Sequence, residues 1–584
     1  MKRVISIVFA LALVLGLSLV ATTPVAAATT YYVATTGNDG NPGSSGSPWL
    51  TIQHAVDNVA SGDTIMVAAG TYQESKGGWR DIEIFKSLSI IGAGSGLTVV
   101  ELSGLQHGVE IRPDGTGVLL MQGMTFTKRS ANPKSADWAI IVAETGGTFN
   151  SLTFRDVEVA WGQARNLHLH SGGSGTTYHS IVLDDCNIHH GGTWGFSARG
   201  TIDSLVVEDS HFDYNGWSDP LHGIGFDVDM PHSISSLNVT GGTFNYNQSK
   251  GVNLVKTSNA IFTDITASNN GGAATGGFGV SLWEWSGTSQ DLTFDSPVLK
   301  DNATDGFLIG SETGKTVQDV IITSATMTGN GRAGLFVYRA SGWGDGVIDD
   351  VAITNSTITG NTQWGVAAIM AYEDVVATCN WWGDASGPSG GVNDPVTGTP
   401  ANGSGDSVSV DVIFDGWTGK QGSDSTTTGT GTASFAPTQG CIKAFAAVPT
   451  PPNSPVQLPH GMFSFNVSCI DPGATVTLNI TLPGPVPVGT RWYKYIGGSW
   501  YSLGIGSDDG DNFITVTLRD DVLPDDEDTI PGHITDQGGP GFGAVGWETY
   551  PVSTVRVLLP WIALLAAIMA GVSLLVLRHR KTIT

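Results

Sequence analysis

A phrase of one glycine followed by alternating apolar residues recurs seven times, and it constrains the fold more than any other feature of this chain. The copies begin at Gly195, Gly223, Gly251, Gly279, Gly306, Gly334 and Gly365. Subtracting successive numbers gives steps of 28, 28, 28, 27, 28 and 31 residues. A nearly constant step of this length is typical of a solenoid, in which each repeat forms one coil stacked on the next.

Each repeat also contains an upstream apolar run and an asparagine at a fixed offset. The upstream runs are residues 205–207, 237–239, 292–294, 320–322 and 351–353. The asparagines are Asn215, Asn247, Asn270, Asn302, Asn330 and Asn361. Short runs with period-two alternation, separated by Gly, Asn and Asp, predict strands and tight turns. We therefore predict an all-β chain whose main domain is a right-handed parallel β-helix, with an asparagine ladder along one corner.

Composition narrows the function classes. The net charge is −26, which argues against a nucleic-acid partner because phosphate contacts need a basic face. The acidity is compatible with solubility outside the cell and with divalent cations. Four cysteines in 584 residues give no disulfide framework, and whether Cys441 and Cys469 pair is left open. Cys186, two positions before the apolar Ile188 near a strand end, and Cys379, after the run 375–378, are expected to be buried.

The first 28 residues have the pattern of an export signal. Lys2 and Arg3 precede an apolar stretch at 5–20, and Ala26 to Ala28 supply a small-residue cleavage site. An uncleaved N-terminal anchor is the alternative. Either arrangement places the remainder of the chain outside the cytoplasm.

Residues 29–85 are expected to form an N-terminal cap and the first strands, before a β-helix at 86–415. Ile52, Ala55, Val56 and Val59 have helical spacing. Together with the phrases at 37–43 and 62–72, this helix resembles the opening module of bacterial pectin-lyase-like β-helix proteins. The resemblance implies that the helix plugs the open end of the solenoid, where a first coil would otherwise expose its core and strand edges.

Counting from each glycine predicts which side chains are neighbours. Four residues beyond Gly195, Gly223 and Gly279 stand Arg199, Asp227 and Trp283. Offsets five and six add Lys256, Glu284, Asp229 and Trp285. Equal offsets lie one above another in a parallel stack, so these residues are expected to cluster at one strand end on the outer wall. The longer loop at 216–222 is expected to place His222 beside the same groove.

This predicted cluster is similar in position to the catalytic groove of pectate-lyase-like enzymes. The resemblance implies that Asp227, Asp229 and Glu284 bind Ca²⁺ and that Lys256 or Arg199 acts as the base. Trp283, Trp285 and His222 would then contact the sugar chain. Two alternatives remain: a polar outer wall in which Lys256 and Glu284 form an ordinary ion pair, and a metal site without catalysis. The histidines of residues 168–232 lack a tight metal-binding spacing and are expected to be a scattered solvated set.

The chain changes character after the repeats. Trp381 and Trp382 resemble the closing turn of bacterial β-helix domains and are expected to cover the last coil. Residues 416–455 are rich in Ser, Thr, Gly and Pro and predict a linker. Alternating runs then predict an antiparallel β-sandwich at 456–550. Its phrases at 492–495, 525–532 and 534–540 resemble a surface-protein module that precedes C-terminal anchors, with Gln537 departing from that pattern.

The last segment predicts a membrane anchor. Residues 557–577 are 21 consecutive uncharged, mostly apolar residues, enough to cross a bilayer. Arg578, Arg580 and Lys581 follow directly, which predicts a cytoplasmic tail at 578–584 and an extracellular remainder.

Two functions fit these observations. The first is a cell-surface protein that binds polysaccharides or other surface glycans along the outer groove of its β-helix. The second is a membrane-tethered polysaccharide lyase that cleaves an acidic polysaccharide by Ca²⁺-assisted β-elimination. Nothing in the sequence requires a cofactor, and Ca²⁺ is the one candidate. Fold alone does not choose between the two functions.

Overall fold

The computed structural model describes residues 28–542, apart from residue 78 and the segments 104–106, 113–116, 129–137, 143–146, 171–174, 230–233, 273–275, 340–345 and 370–372. Within these residues no helix is long and apolar enough to cross a membrane. The predicted anchor at 557–577 and all of the predicted export signal except its last residue lie outside the described residues.

The glycine phrases form one parallel sheet of 11 strands, which we call the glycine sheet. Each strand pairs with the equivalent strand of the coil before and after it. The strands are Arg80–Ile84, His107–Ile111, Trp138–Val142, Arg165–Leu169, Trp194–Ala198, Ile224–Val228, Lys250–Leu254, Phe278–Glu284, Asp305–Ser311, Ala333–Arg339 and Trp364–Ile369.

The upstream runs form a second sheet of 17 strands. Its strands are Thr30–Val33, Thr64–Val67, Gly70–Tyr72, Leu88–Ile91, Thr98–Leu102, Val118–Lys128, Ser151–Ala160, Ile181–Asp184, Asn187–His189, Leu205–Glu208, Leu237–Thr240, Ser258–Thr263, Thr288–Asp295, Thr316–Thr323, Val347–Thr354, Val375–Val376 and Val412–Ile413. Shorter sheets complete the wall: Gly147–Phe149, Thr176–Tyr178 and Thr201–Ile202; Val298–Lys300, Thr326–Thr328 and Thr357–Thr359; Pro388–Ser389 and Gly405–Ser407. The parallel solenoid predicted from the repeat is therefore confirmed.

Apolar side chains fill the interior of the solenoid as one continuous core. Identical residues on neighbouring coils stack, as Phe212 does on Phe244 with ring centroids 5.2 Å apart. Phe262 and Phe294 stack in the same way at 4.7 Å. The spacing follows from the strand separation of about 4.8 Å in a β-sheet. One coil alone would leave this surface exposed, so each coil depends on its neighbours.

The asparagine ladder is confirmed. The Nδ2 group of each asparagine donates to the Oδ1 atom of the next one, from Asn215 through Asn361, over distances of 2.8–3.2 Å. Asn361 ends the series on Asp406. The side chain of Asn302, for example, makes four hydrogen bonds, accepting from the N–H and Nδ2 of Asn270 and donating to Ala267 and Asn330. The side-chain amides of the corner are thereby satisfied by the neighbouring coils.

The glycines are required by the same corner. A Cβ at Gly251 would lie 2.7 Å from the carbonyl oxygens of Gly279 and Phe244 and 3.0 Å from the Nδ2 of Asn270. In the second of the seven copies, however, the equivalent glycine is Gly225, because Phe196 pairs with Phe226 and Phe226 with Val252. The predicted register at Gly223 is wrong by two residues. Gly223 belongs to the preceding loop, where it packs against Gln248.

Both ends of the core are covered as predicted. A helix at Ile52–Asn58, capped by Thr51, buries Ile52, Ala55 and Val56 in the solenoid core. The carboxylate of Glu74 accepts hydrogen bonds from the N–H groups of Ile52 and Gln53, which satisfies two donors of the first turn. At the other end Trp382 is fully buried in the same core.

A second domain consists of two antiparallel sheets. The four-stranded sheet contains Gly422–Ser425, Thr432–Pro437, Thr475–Thr481 and Phe513–Arg519. The five-stranded sheet contains Cys441–Val448, Met462–Ser468, Ile534–Gly541, Arg491–Ile496 and Ser499–Leu503. Three of these strands lie within 416–455, so the predicted linker is wrong over most of its length. Its Ser and Thr residues alternate with buried apolar residues such as Ala433 and Phe435, a strand pattern that composition alone conceals.

A disulfide joins the two domains. Cys379, which lies between the last two strands of the second sheet of the solenoid, is bonded to Cys469 of the second domain, and 90 residues separate them. Cys441 keeps a buried thiol whose sulfur lies 3.3 Å from that of Cys469. The pairing of Cys441 with Cys469, which the sequence left open, is therefore not the one formed.

Asn302→Ala should destabilise the solenoid, because it removes four hydrogen bonds and leaves the Nδ2 of Asn270 and the carbonyl of Ala267 buried without those partners. A loss of about 2–4 kcal/mol in the free energy of unfolding is expected from the cost of unsatisfied buried groups. Chemical denaturation monitored by circular dichroism measures it. Lys300→Ala, an exposed change on the same turn, is the control and should alter stability by less than about 0.5 kcal/mol. Equal effects would contradict a structural ladder.

Removing the disulfide should destabilise the chain most where no substitute pairing is available. In Cys379→Ser the freed Cys469 can still pair with Cys441, whose sulfur lies 3.3 Å away, whereas Cys379→Ser/Cys441→Ser leaves Cys469 without either nearby cysteine. Closing a long loop contributes about 2–4 kcal/mol. Thermal unfolding under oxidising conditions should therefore rank wild type and Cys441→Ser, which keeps the disulfide, above Cys379→Ser/Cys441→Ser. The difference should disappear in reductant, and a persistent difference there would show that packing is responsible.

Candidate functional site

The outer face of the glycine sheet carries three columns of side chains. What we call the rim column begins each strand and contains Arg165, Trp194, Ile224, Lys250 and Phe278 on successive coils. The central column contains His168, Ser197, Asp227, Asn253 and Ser281. The end column lies two residues beyond the central column and contains His170, Arg199, Asp229, Val255 and Trp283. Between them, Phe196 and Ala198 with their equivalents point into the core.

The central column is buried although it faces outward. Asp227 is 1% exposed, and His168, Ser197 and Ser281 are fully buried beneath the flanking columns. Polar groups therefore occupy an environment in which charge is costly. This explains why several of their pKa values depart from the ordinary range.

Asp227 is the last of three residues that are linked by hydrogen bonds. The Nζ of Lys250 donates to the Oδ1 of Asn253 over 2.7 Å, and the Nδ2 of Asn253 donates to the Oδ1 of Asp227 over 2.8 Å. Burial, reinforced by the neighbouring Asp229 carboxylate, raises the pKa of Asp227 from 3.8 to about 7. The same burial lowers the pKa of Lys250, against the attraction of the two carboxylates. Asp227 is thus poised between its acid and base forms near neutral pH.

Two arginines and a histidine lie on the coils before Asp227. The guanidinium of Arg165 stacks on Trp194, with its central carbon 4.3 Å from the ring centroid. Burial and the charge of Arg199 lower the pKa of Arg165 to about 10. Burial, with Arg165 and His170 nearby, also lowers the pKa of His168 well below its ordinary value, so this imidazole is neutral at pH 7. Its Nδ1 lies 3.3 Å from the carbonyl oxygen of Ser197.

Polar atoms without hydrogen-bond partners concentrate on this face. Among the described residues, these atoms include seven on four consecutive coils, namely Trp138 Nε1, Arg165 Nε, His168 Nε2, Trp194 Nε1, Ser197 Oγ, Arg199 Nε and Asp227 Oδ2, and Ser281 Oγ lies further along the central column. Native proteins satisfy most buried polar atoms, and exceptions mark functional positions or groups that bind a ligand. The seven atoms include both donors and an acceptor, so they suit a polar ligand.

The structure brings three of the predicted site residues together. Arg199, Asp227 and Asp229 share the outer face, and both Arg199 and Asp229 act on the pKa of Asp227. Because of the register correction, Asp227 lies beside Ser197 and Asn253 in the central column, and Asp229 follows Arg199 in the end column.

Lys256 and Glu284 form a turn at the edge of this face. Glu284 is fully buried, and its carboxylate accepts from the N–H groups of Lys256, Ser286 and Gly287 and from the hydroxyl of Ser289. Four hydrogen bonds use the acceptor capacity of a carboxylate. These surroundings give no support to the prediction of Glu284 as a metal ligand. Lys256 adopts a positive φ of 51°, and its aliphatic stem packs against Gly287.

The predicted sugar-contacting residues lie at the borders of the face. Trp283 covers Gly310, and its indole N–H donates to Glu312 over 3.1 Å. Trp285 is half-buried in the following turn. His222 is exposed, bonded to Asp219 over 2.8 Å, with its ring centroid 5.7 Å from that of Trp194. His222 therefore adjoins the stacked pair of Trp194 and Arg165.

Sequence reasoning missed Arg165, Lys250 and Asn253 and treated His168 as solvated. The strand Arg165–Leu169 escaped notice because Asn166 stands where later coils have glycine. Its alternation of polar and apolar residues, matched to the strand Trp194–Ala198, is the signal that would have identified it.

The predicted calcium trio does not converge. In the described part of the chain, two groups of three acidic side chains have oxygens within 4.8 Å of one another, namely Asp349, Asp350 and Glu373, and Asp520, Asp521 and Asp526. Asp227, Asp229 and Glu284 are not such a group. Asp520 and Asp526 accept hydrogen bonds from backbone N–H groups and organise turns. Calcium binding by this protein stays a prediction.

Asp227→Asn should make stability less dependent on pH. A carboxyl whose pKa is raised in the folded state is ionised first in the unfolded state, so its contribution to stability is lost as pH rises from about 4 to 7. About 4 kcal/mol corresponds to a shift of this size. The variant should therefore gain stability relative to wild type across this window, measured by denaturation at several pH values. A pH-independent difference would contradict the raised pKa, and Asp319→Asn on the other sheet is a suitable control.

Comparison with known proteins supports the fold. Residues 89–342 match the family described as "Right handed beta helix region", and residues 35–135 match a family of unknown function, DUF1565. No curated protein sequence matches the chain.

Solved structures show more distant likeness. The A-module of the mannuronan C-5 epimerase from Azotobacter vinelandii is 18% identical, with a TM-score of 0.38 over 62% of this chain and 92% of that one. A GH87 α-1,3-glucanase catalytic domain bound to nigerose is 13% identical, with a TM-score of 0.39 over 56% of this chain and 62% of that domain. A pectate lyase is 17% identical, with a TM-score of 0.26 over 67% of this chain and 78% of that enzyme. The activities in these names belong to those proteins. The family match covers residues 89–342 and agrees with the parallel solenoid described above.

Proposed function

We propose that the outer face of the glycine sheet binds an acidic polysaccharide. The observation that carries the proposal is the set of seven buried polar atoms without partners, which lie on adjacent coils of this face. A sugar chain carries hydroxyl groups that donate and accept, and it would satisfy both kinds of atom once the side chains of the rim and end columns that cover them move aside. A carboxylate on the sugar would complement the cationic groups.

The cations of this face favour a carboxylate over a neutral sugar. Arg165, Arg199 and Lys250 converge here although the whole chain has a net charge of −26. A guanidinium offers a planar fork that matches a carboxylate, and the pair is stronger where water is excluded. Asp227 and Asp229 offset part of this positive charge. They would accept hydrogen bonds from sugar hydroxyls.

An aromatic and apolar surface continues from the polar cluster along the same face. Leu308 and Phe336 form its centre, with Phe278, Trp283, Tyr338 and Trp364 packed around them. Sugar rings stack on flat aromatic faces through their C–H groups. The seven coil steps from Arg165 to Trp364 span about 34 Å at about 4.8 Å per step. A surface of that length suits a polymer better than a small molecule.

Catalysis is the second candidate, and the pKa of Asp227 favours it. With a pKa of about 7, this carboxyl exchanges protons readily at neutral pH beside Arg199 and the neutral His168. In a β-elimination, a base removes the proton next to the sugar carboxylate and the glycosidic oxygen leaves. Arg199 and Lys256 were the bases expected from sequence, and Asp227 is better placed for that role. Ca²⁺ held beside Asp229 would neutralise the sugar carboxylate and leave Asp227 free to take up the proton.

We also propose that the protein works outside the cytoplasm, held by the segment 557–577. The disulfide between Cys379 and Cys469 supports this location, because disulfides persist in oxidising compartments. The apolar run and the basic residues that follow it supply the anchor.

Binding can be tested with oligogalacturonate and oligomannuronate by isothermal titration calorimetry. Arg199→Gln should weaken binding at least tenfold, because it removes a charge that faces the proposed carboxylate. Arg155→Gln, an exposed arginine paired with Asp184 on the other sheet, should leave binding unchanged. A neutral glucan should bind more weakly than either acidic oligomer. Equal affinity for all three sugars would contradict the charge-based part of the proposal.

An assay for reaction products distinguishes catalysis from binding. Ultraviolet absorbance from unsaturated sugars, measured with and without Ca²⁺ on the same polymers, reports β-elimination. Asp227→Asn should abolish such a signal while retaining binding. Binding without any product across these polymers would favour a binding protein over a lyase.

A further inference from the structure

The second domain buries a lysine and an aspartate against each other. Lys494 lies on the strand Arg491–Ile496 opposite Gly538, and Asp536 lies two residues earlier on the neighbouring antiparallel strand. This is the diagonal position on one sheet face, within reach of a long side chain. The Nζ of Lys494 is 2.9 Å from the Oδ2 of Asp536, and both side chains are fully buried.

Apolar residues surround this pair. Asp536 is in register with Phe465, and Trp492 precedes Lys494 by two residues, so all four side chains face the sandwich core. Burial raises the pKa of Asp536, although the adjacent Lys494 opposes the shift. Taking an ammonium and a carboxylate out of water costs several kcal/mol per ion. An uncharged arrangement of the two side chains would therefore avoid this desolvation cost.

A second acid adjoins the pair. Glu527 is held beside the strand of Asp536, since its N–H donates to the carbonyl of Thr535 and its Oε1 accepts from the N–H of Gln537. It is close enough for Lys494 and Asp536 both to affect its pKa, which burial raises. The Nζ of Lys494 also donates to the carbonyl of Asp525 over 2.8 Å, which fixes the amine in place.

We propose that Lys494 and Asp536 condense into an intramolecular amide bond. The uncharged amine of Lys494 attacks the carboxyl carbon of protonated Asp536. A C–N bond forms, a C–O bond breaks and one water leaves, carrying a proton from the amine. No oxidant, reductant or further reactant is consumed. Glu527 moves the proton from the nitrogen to the departing oxygen.

Two effects favour the condensation: the contact between the reacting groups and their removal from water. Because the reacting groups are held in contact, the step is intramolecular, and each group experiences a high effective concentration of the other. Burial raises the pKa of Asp536 and so favours the protonated carboxyl that the reaction needs. The product removes two buried charges and keeps the two strands at the same separation.

The bond would reinforce the C-terminal end of the domain. Ile534–Gly541 is the last strand of the described chain, and the proposed anchor follows it. A pull from that end would pass directly from Asp536 to Lys494, so the segment between them would carry no load. The condensation is independent of the proposed sugar binding. Its test gives the same result whether or not the outer face of the solenoid binds a sugar.

Tryptic peptide mapping of the purified full chain tests the proposal. Trypsin cuts after Arg491, Lys494, Arg519 and Arg556 in this region. An amide at Lys494 blocks cleavage there, so peptides 492–519 and 520–556 should appear as one branched species, lighter than their sum by one water. Recovery of peptide 495–519 in full, with no branched species, would overturn the proposal.

Variants of the same residues identify the atoms involved. Lys494→Arg keeps the charge but cannot condense, and it should separate peptide 520–556 from its partner. Asp536→Asn should lose ammonia instead of water and give a branched peptide of the same mass as wild type. Glu527→Gln should slow the reaction and lower the branched fraction by tenfold or more in freshly made protein. A branched species that survives in Lys494→Arg would assign the bond to other residues.

Discussion

The structure depends on the close stacking of one coil on the next at the corner made by glycine and asparagine. At Gly251 the backbone of the neighbouring coil leaves no room for a Cβ, and the adjacent asparagine supplies the hydrogen bonds that a tight corner would otherwise lack. Each coil is thus satisfied only by its neighbours. This strict register is what places side chains of distant sequence in straight columns on the outer face.

The outer face contains buried polar groups that lower the stability of the fold, in contrast to the interior of the solenoid. Inside, the ladder satisfies each asparagine, and apolar residues fill the remaining volume. Outside, Asp227 keeps an unpartnered oxygen and a pKa of about 7, in a structure that could have placed a serine or an asparagine there, as the adjacent coils do. Destabilising groups retained in one place are typical of positions selected for function rather than for stability. This contrast, more than the fold, directs attention to the face around Asp227.

The limits of sequence reasoning lie in register and in long-range pairing. The repeat predicted strands, corners and the capped ends, because local alternation and a constant step determine them. It failed at Gly223, since two glycines two residues apart both fit the phrase and only the pairing of Phe226 selects Gly225. It failed at 416–455, where a Ser- and Thr-rich composition conceals an alternating strand. Arg165, Lys250 and the partner of Cys469 depend on which segments meet in space, which one sequence does not specify.

The buried charged groups have different roles in the two domains. On the solenoid, cationic and acidic groups of the outer face lie near one another without closing all of their hydrogen bonds, which leaves capacity for a ligand. In the sandwich, Lys494 and Asp536 are fully buried in direct contact, with no open face toward solvent. A buried ion pair alone adds little stability over apolar packing, because desolvation offsets the attraction. Its retention between the final strand and its neighbour is therefore better explained by what the two groups can become than by the attraction between them.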